Sequence, residues 1–480
     1  MKRTVAAALS ALALSIGPLS LQADSLREIY ELALENDAQL KQEEALYLAR
    51  RETEKLSRAA LLPQAAATYQ RTETDQDVER ESFDFSGAIG TVDTKTNTDI
   101  TDENIQLSLS QALFDLPAWF GFQSGKEVTK EAEATFAANQ QNLIVRTVEA
   151  YLLVLRAQDN LAASQAQERA FERQLEQTQQ RFEVGLIAIT DVYEAQAARD
   201  LAQVTRLVDE NNVAVALEQL SVLTGQRHGN LNILKEDFEV RPPEPLDRAA
   251  WVDFSLDNNF LLKASGFAEE ASRQTAKANR LEHLFKINGV YAYTDSRVDG
   301  DLTRKPSTDF DTSPDQDLES QYWGVELSMP LSTGGAISAN RRRAAQEFIA
   351  ARENRINLTR NTITNTRSLH MTVVSDVSRI AARKQSIVSS KSSLDATTAG
   401  YEVGTRNVVD VLNAQNTLFA AERDYANSRY DYIINMMRLK EQAGLLSPED
   451  VYRLDSNLIP PPPPSASASS GSGSGSGSSK

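Results

Sequence analysis

Side chains that do chemistry are sparse in this chain of 480 residues. The three histidines, His228, His283 and His370, are scattered, with no H-E-x-x-H or comparable metal-ligating spacing. Cysteine is absent. That excludes disulfides, thiolate metal sites, a cysteine nucleophile and a lipidated N-terminal cysteine together. No glycine-rich phosphate loop occurs, and Gly334-Gly335 reads as a strand-to-helix turn. Acidic residues are plentiful, but carboxylates on solvated helices usually form a polar face. These absences point away from an enzyme and away from a bound cofactor. The net charge of -17 argues against a nucleic-acid partner, whose phosphates need a basic surface. It fits an acidic surface or a lumen that tolerates cations.

One cluster of charged and aromatic residues occurs twice. Arg181-Phe-Glu-Val-Gly-Leu-Ile-Ala-Ile-Thr-Asp-Val-Tyr-Glu-Ala-Gln196 matches Gly400-Tyr-Glu-Val-Gly-Thr-Arg-Asn-Val-Val-Asp-Val-Leu-Asn-Ala-Gln415. Glu183, Val184, Gly185, Asp191, Val192, Ala195 and Gln196 recur at Glu402, Val403, Gly404, Asp410, Val411, Ala414 and Gln415. Weaker echoes flank the pair. Asn36-Asp-Ala-Gln-Leu40 resembles Asn258-Asn-Phe-Leu-Leu262, and Leu107-Ser-Leu-Ser110 resembles Val325-Glu-Leu-Ser328. Because the echoes keep one order, the chain reads as a tandem duplication with halves at 24–240 and 241–458.

The elements that must carry these segments change period within each half. Ser25 to Leu62 is rich in helix formers, and Pro63 ends the run. Ile105 to Ser110 alternates apolar and polar residues, as does Trp323 to Ser328, so each predicts a strand between two environments. Ala65–Arg71 and Ile287–Thr294 are the expected partner strands. The intervening segments, Thr72 to Asn104 and Asp295 to Gln321, are long, polar and acidic, and read as extended surface loops. Helix formers then run from Pro117 to Arg181, about 95 Å at 1.5 Å per residue. Val411, Ala414, Leu418, Ala421, Tyr425, Ser428 and Tyr432 form a heptad seam.

Both ends read as non-domain sequence. Lys2 and Arg3, the apolar stretch Thr4 to Ser20 and the small residue Ala23 predict a cleaved signal peptide over 1–23. Residues 459–480, with a proline run and then Ser and Gly, predict a disordered tail. No other stretch is apolar enough for a spanning helix. Four alternating strands can cross a bilayer only in a closed sheet, because every backbone group in hydrocarbon needs a partner. A dimer would supply eight strands and a trimer twelve. The face with Ile105, Leu107 and Leu109 would meet lipid, and Gln106, Ser108 and Ser110 would line water. Phe114, Trp119, Phe120 and Phe122 would sit at the membrane interface.

At this point the residues resemble the TolC family of outer-membrane channels over about Asp24 to Leu458. The most specific stretch is Ser392 to Asn413. Leu107 to Asp115, Leu61-Leu-Pro-Gln64 and Tyr425 to Tyr430 are also similar. The resemblance implies a mixed α+β membrane protein in the outer membrane of a Gram-negative bacterium. Its parts would be a homotrimer, a twelve-stranded β-barrel with four strands per chain, and a long periplasmic α-helical coiled-coil barrel. It implies a passive, tip-gated exit duct for a tripartite efflux pump or a type I secretion system. The partners would be outer-membrane lipid, a periplasmic adaptor protein and an inner-membrane ABC or proton-driven pump. It also implies a gate latch at Thr190, Asp191, Tyr401 and Arg406. In that latch Arg406 and the Tyr401 hydroxyl donate to Asp191. One constriction ring of acidic residues corresponds to Asp410, while the second falls on Asn413, a departure that should weaken cation block. The competing reading is a periplasmic or surface coiled-coil scaffold without a pore.

Overall fold

The computed structural model describes residues 23–84, 90–305 and 315–461. Most of the expected signal peptide and tail lie outside these residues. Helix α1 spans Leu26–Asn36 and α2 spans Ala38–Ala59. The expected single helix over 25–62 is broken at Asp37. Its buried carboxylate accepts from the Leu40 amide at 3.0 Å and pairs with Arg146 at 2.6 Å, starting a new helix instead of continuing the old one. A reciprocal capping box between Ser25 and Glu28 opens α1. Strands β1 (Gln64–Asp84) and β2 (Gly90–Phe114) follow, then α3 (Leu116–Glu183) and α4 (Ile189–Thr224).

A two-residue strand β3 (Ile233–Leu234) precedes the second series. That series is α5 (Arg248–Asn258), α6 (Phe260–Leu281), β4 (Lys286–Lys305), β5 (Gln316–Ser328), α7 (Ala336–Glu402) and α8 (Val408–Gln442). The six-element order of the first half therefore recurs, and α3 and α7 have 68 and 67 residues. Helix α9 (Pro448–Asp455) and strand β6 (Leu458–Ile459) close the chain, and β6 pairs antiparallel with β3. Ile459, expected in the tail, thus belongs to a strand.

The chain forms two compact units, each drawing on both sequence halves. The first holds the described residues up to Glu44 with Phe136–Phe260 and the chain from Arg360 onward. Its core is built from Leu26 and Ile29 of α1, Val148, Tyr151, Leu152 and Leu155 of α3, Leu220 of α4, and Leu439 of α8, all essentially buried. Each such side chain contributes about 1.5–3 kcal/mol on leaving water. Tyr151 donates its hydroxyl to the Asn232 carbonyl at 2.7 Å. The residues of the expected α8 seam are all buried or half-buried, from Val411 to Tyr432.

The second unit, Ala45–Thr135 with Leu261–Thr359, contains one antiparallel sheet in the order β1-β2-β4-β5. The structure corrects the expected loops here. Pairing of β1 with β2 runs without interruption from Gln64↔Ser110 to Asp84↔Gly90. Pairing of β4 with β5 reaches Val298↔Gln316. The polar segments are mostly strand. Their threonines favour extended backbone, and cross-strand ion pairs such as Arg71–Glu103 (2.9 Å) and Lys95–Glu79 (3.0 Å) line one face. A hairpin solvated on both faces carries no apolar alternation, so its polarity resembles that of a loop.

Candidate functional site: a two-faced sheet and a repeated helix turn

Register places side chains of neighbouring strands in common rows. One face carries Ala65, Leu109, Tyr291 and Trp323 in a row, then Ala67, Leu107 and Tyr293 in the next. Val325 and Leu327 extend it on β5. Trp323 is 85 % exposed, and Ile105, Leu107 and Leu109 are also exposed, so this apolar face has no cover among the described residues. The opposite face carries Thr68, Gln106, Thr294 and Ser320 in one row, with Ser108 and Ser110 beside them. The sheet is therefore two-faced, as the alternation in β2 and β5 predicts.

The apolar band has a measurable height. Ile105 to Phe114 covers about 30 Å along the strand, or about 23 Å vertically at a tilt of about 40°. That matches the apolar band of about 25 Å on membrane barrels. Beyond Ile105 the same face meets a row of four charges, Arg71, Glu103, Arg297 and Asp317, tied by bonds of 2.9 Å. At the other end, Phe114 stacks on Phe285 with centroids 5.3 Å apart, and Trp119 lies tilted against Phe122. Among the described residues no helix is long and apolar enough to cross a membrane.

The repeated segments form two helix turns, both in the first unit. Between α3 and α4 the chain reverses through Gly185 at φ +75°, and between α7 and α8 through Gly404 at φ +79°. A side chain at either position would be strained, which explains the shared Val-Gly. The second turn is capped. Asn407 accepts from the Asp410 amide at 2.8 Å, and the Asp410 carboxylate accepts from the Asn407 amide at 3.4 Å. The first turn has Ala188 in the cap position and no side-chain bond there. Asp191 is therefore free of the role its counterpart performs.

Tyr401 is buried with Phe171, Ala202, Val408, Val411 and Leu412. The Arg181 guanidinium lies 4.6 Å from its ring centroid, a cation–π contact. The Tyr401 hydroxyl is shielded yet lacks a hydrogen-bond partner. Arg406 lies 3.8 Å from Asp410 one turn along, and both side chains are exposed. Thr190 and Asn413 are exposed and Asp191 is half-buried. Within one chain, Arg406 thus faces Asp410, and neither it nor Tyr401 bonds to Asp191. A groove of about 430 Å³ beside the turn is lined by Gln174, Gln177, Gln180, Arg181, Tyr401 and Glu402. Sequence reasoning missed Arg181 and Asn407. The N-x-x-D capping pattern could have revealed Asn407; Arg181 is brought to Tyr401 only by packing.

The family model described as "Outer membrane efflux protein" matches residues 29–226 and 251–445. The chain belongs to the outer membrane efflux protein family. It is 33 % identical over 92 % of its length to outer membrane protein TolC of Vibrio cholerae, covering 96 % of that protein. The alkaline protease secretion protein AprF of Pseudomonas aeruginosa is 30 % identical over 90 % of this chain and 86 % of its own length. The fold is similar to that of the CmeC outer membrane channel of Campylobacter jejuni, with a TM-score of 0.69 at 16 % identity, covering 95 % and 98 % of the two chains. Membership of this efflux family places the chain in the outer membrane.

Proposed function

We propose that the chain is the exit duct of a tripartite efflux pump or type I secretion system, a passive channel and not an enzyme. The observation that carries this reading is the sheet. It has an uncovered apolar face of membrane height, a polar opposite face, and edge strands β1 and β5 that each pair on one side only. In hydrocarbon those edges must find partners, which requires further copies of the chain. Three copies close a twelve-stranded barrel. A second feature supports assembly: Leu201, Val204, Val208, Val215 and Val222 form an exposed apolar stripe on α4 at heptad spacing. A neighbouring copy would cover it. The recurring element order supports the tandem repeat, with halves at 24–240 and 241–458.

The gate follows from the unequal turns. Among the described residues Asp191 is uncommitted, while Tyr401 has a buried hydroxyl in need of an acceptor and Arg406 is exposed. Contact between neighbouring copies would let the exposed Arg406 donate to Asp191, with Thr190 beside it, and Tyr401 would join once its shielded hydroxyl is turned outward. Asp410 of each copy would form the acidic ring, and Asn413 would leave a second ring uncharged. Partners are a periplasmic adaptor and an inner-membrane ABC or proton-driven pump, as the family resemblance implies; the secretion role in the name of AprF fits such a system. Purified protein should give heat-modifiable trimers and single-channel currents in planar bilayers. A soluble elongated particle without conductance would instead support the coiled-coil scaffold.

A further inference from the structure

Both halves of the chain carry the same basic stripe where a helix enters the sheet of the second unit. On α2, Arg51, Lys55 and Arg58 step by four and then three residues, and on α6 Arg273, Lys277 and Arg280 repeat that spacing. Each trio therefore shares one helix face, and all six residues are exposed. The turn that follows recurs as well. The Leu62 amide donates to the Ala59 carbonyl at 3.1 Å, and the Leu284 amide to the Leu281 carbonyl at 2.9 Å. Arg58 and Arg280 thus stand equivalently, each six residues before its strand, β1 or β4. Lys55 pairs with Glu52 and Arg273 with Glu270, whereas Arg58 and Arg280 form no ion pair or hydrogen bond among the described residues. Phe114, Ile287 and Leu327 share the last row of the apolar face at this end of the sheet. Aromatic rings and further cations lie just past that row. Lys277 is 5.6 Å from the Phe120 ring and Lys126 is 5.7 Å from the Phe122 ring, beside the exposed Trp119. The other end of β1 is acidic instead, with Glu73, Asp75, Asp77, Glu79 and Glu81.

We propose that the two stripes bind the headgroups of anionic phospholipids, with Arg58 and Arg280 as the principal contacts. The surface continues the apolar face of the sheet into the polar layer of the bilayer. Six residues of helix and turn set each arginine about 10 Å beyond the sheet. The polar layer outside the hydrocarbon is about 5–8 Å thick, and an arginine reaches back toward it along its own stem. Apolar residues, then aromatic rings, then cations is the order that a path from hydrocarbon into that layer favours. The chain as a whole carries a net charge of -17, so the stripes run against its general character. Exposed arginines without partners prefer a headgroup with net negative charge, because a choline headgroup already neutralises its own phosphate. The proposal rests on the apolar face lying against lipid.

Competition between two lipids tests it. Full-length protein in detergent is mixed with equal amounts of phosphatidylglycerol and phosphatidylcholine of the same acyl chains, and the retained lipids are counted by native mass spectrometry. The wild type should retain phosphatidylglycerol in preference. R58Q/R280Q should lower that preference by about fivefold for each arginine removed, and R58K/R280K, which keeps the charges, should preserve it. R360Q/R423Q removes the same charge from exposed positions of the first unit and should also preserve it. Where R58Q/R280Q does not fold, R58Q and R280Q alone should each show the fivefold fall. A role confined to the helix dipole would leave the ratio unmoved. Equal retention of the two lipids by the wild type would leave the stripes to a protein partner and overturn the proposal. An unchanged ratio in R58Q/R280Q, or an equal fall in R360Q/R423Q, would also overturn it. Dissociation of the assembled copies in R58Q/R280Q would assign the stripes to a second copy instead. Retention of neither lipid would refute the lipid face itself.

Discussion

Replacing Tyr401 by Phe and Arg406 by Ser separates the fold of one chain from the contacts between chains. In one chain the Tyr401 hydroxyl is buried and unpaired. An unpaired buried hydroxyl costs about 1–3 kcal/mol, so its removal should leave the helix turn as stable or more stable. Phenylalanine keeps the ring that packs on Val408 and receives the Arg181 guanidinium. Arg406 contributes only an exposed pair with Asp410 at 3.8 Å. Such a pair is worth about 0.5 kcal/mol or less. The double variant should therefore melt close to the wild type. Between chains the same groups would latch Asp191. At about 1 kcal/mol per copy, a trimer loses about 3 kcal/mol of closure, and the open population rises by about a hundredfold. Single-channel recordings should show larger and more frequent openings, and cells should leak antibiotics. A folded, trimeric double variant with wild-type conductance would refute the latch. A large fall in melting temperature would show that the hydroxyl serves the single chain instead.

Three further substitutions test the proposed wall and ring. Leu107→Arg places a charge on the proposed lipid face and should cost about 2–4 kcal/mol of assembly, whereas Ser108→Arg next to it should assemble and lower cation preference; equal recovery of both in outer-membrane fractions contradicts the face assignment. Asp410→Asn removes the charge of the proposed ring at a cost of about 0.3–1 kcal/mol at the α8 N-terminus, so divalent-cation block should weaken in a folded channel, and block at full strength would remove the ring role.

Much of the architecture was legible because it follows from local periodicity. The alternation of Ile105 to Ser110 marks a two-faced strand, and the register sets Ile105, Leu107 and Leu109 on one uncovered face. The run of helix formers ending near Arg181 corresponds to α3, which ends at Glu183. The hairpin extensions were not legible, since a strand wetted on both sides has no apolar pattern to reveal it. The break at Asp37 was equally hidden, because a cap depends on where a side chain points and here also on Arg146, far away in sequence.

The site divides in the same way. The sequence by itself determined the two Val-Gly turns, since positive φ demands glycine and the repeat announces both places. It also determined the lack of thiolate chemistry, since the chain has no cysteine. Only the tertiary structure decided how the two copies differ. Packing buries Tyr401 against Val408 and sets Arg181 over its ring. The cap at Asn407 occupies Asp410, and Ala188 leaves Asp191 unclaimed. These differences depend on distances between residues remote in the chain, and identical motifs carry no record of them. The physical reason is that a motif specifies local backbone, while the bonds its side chains make are set by whatever the fold brings within reach.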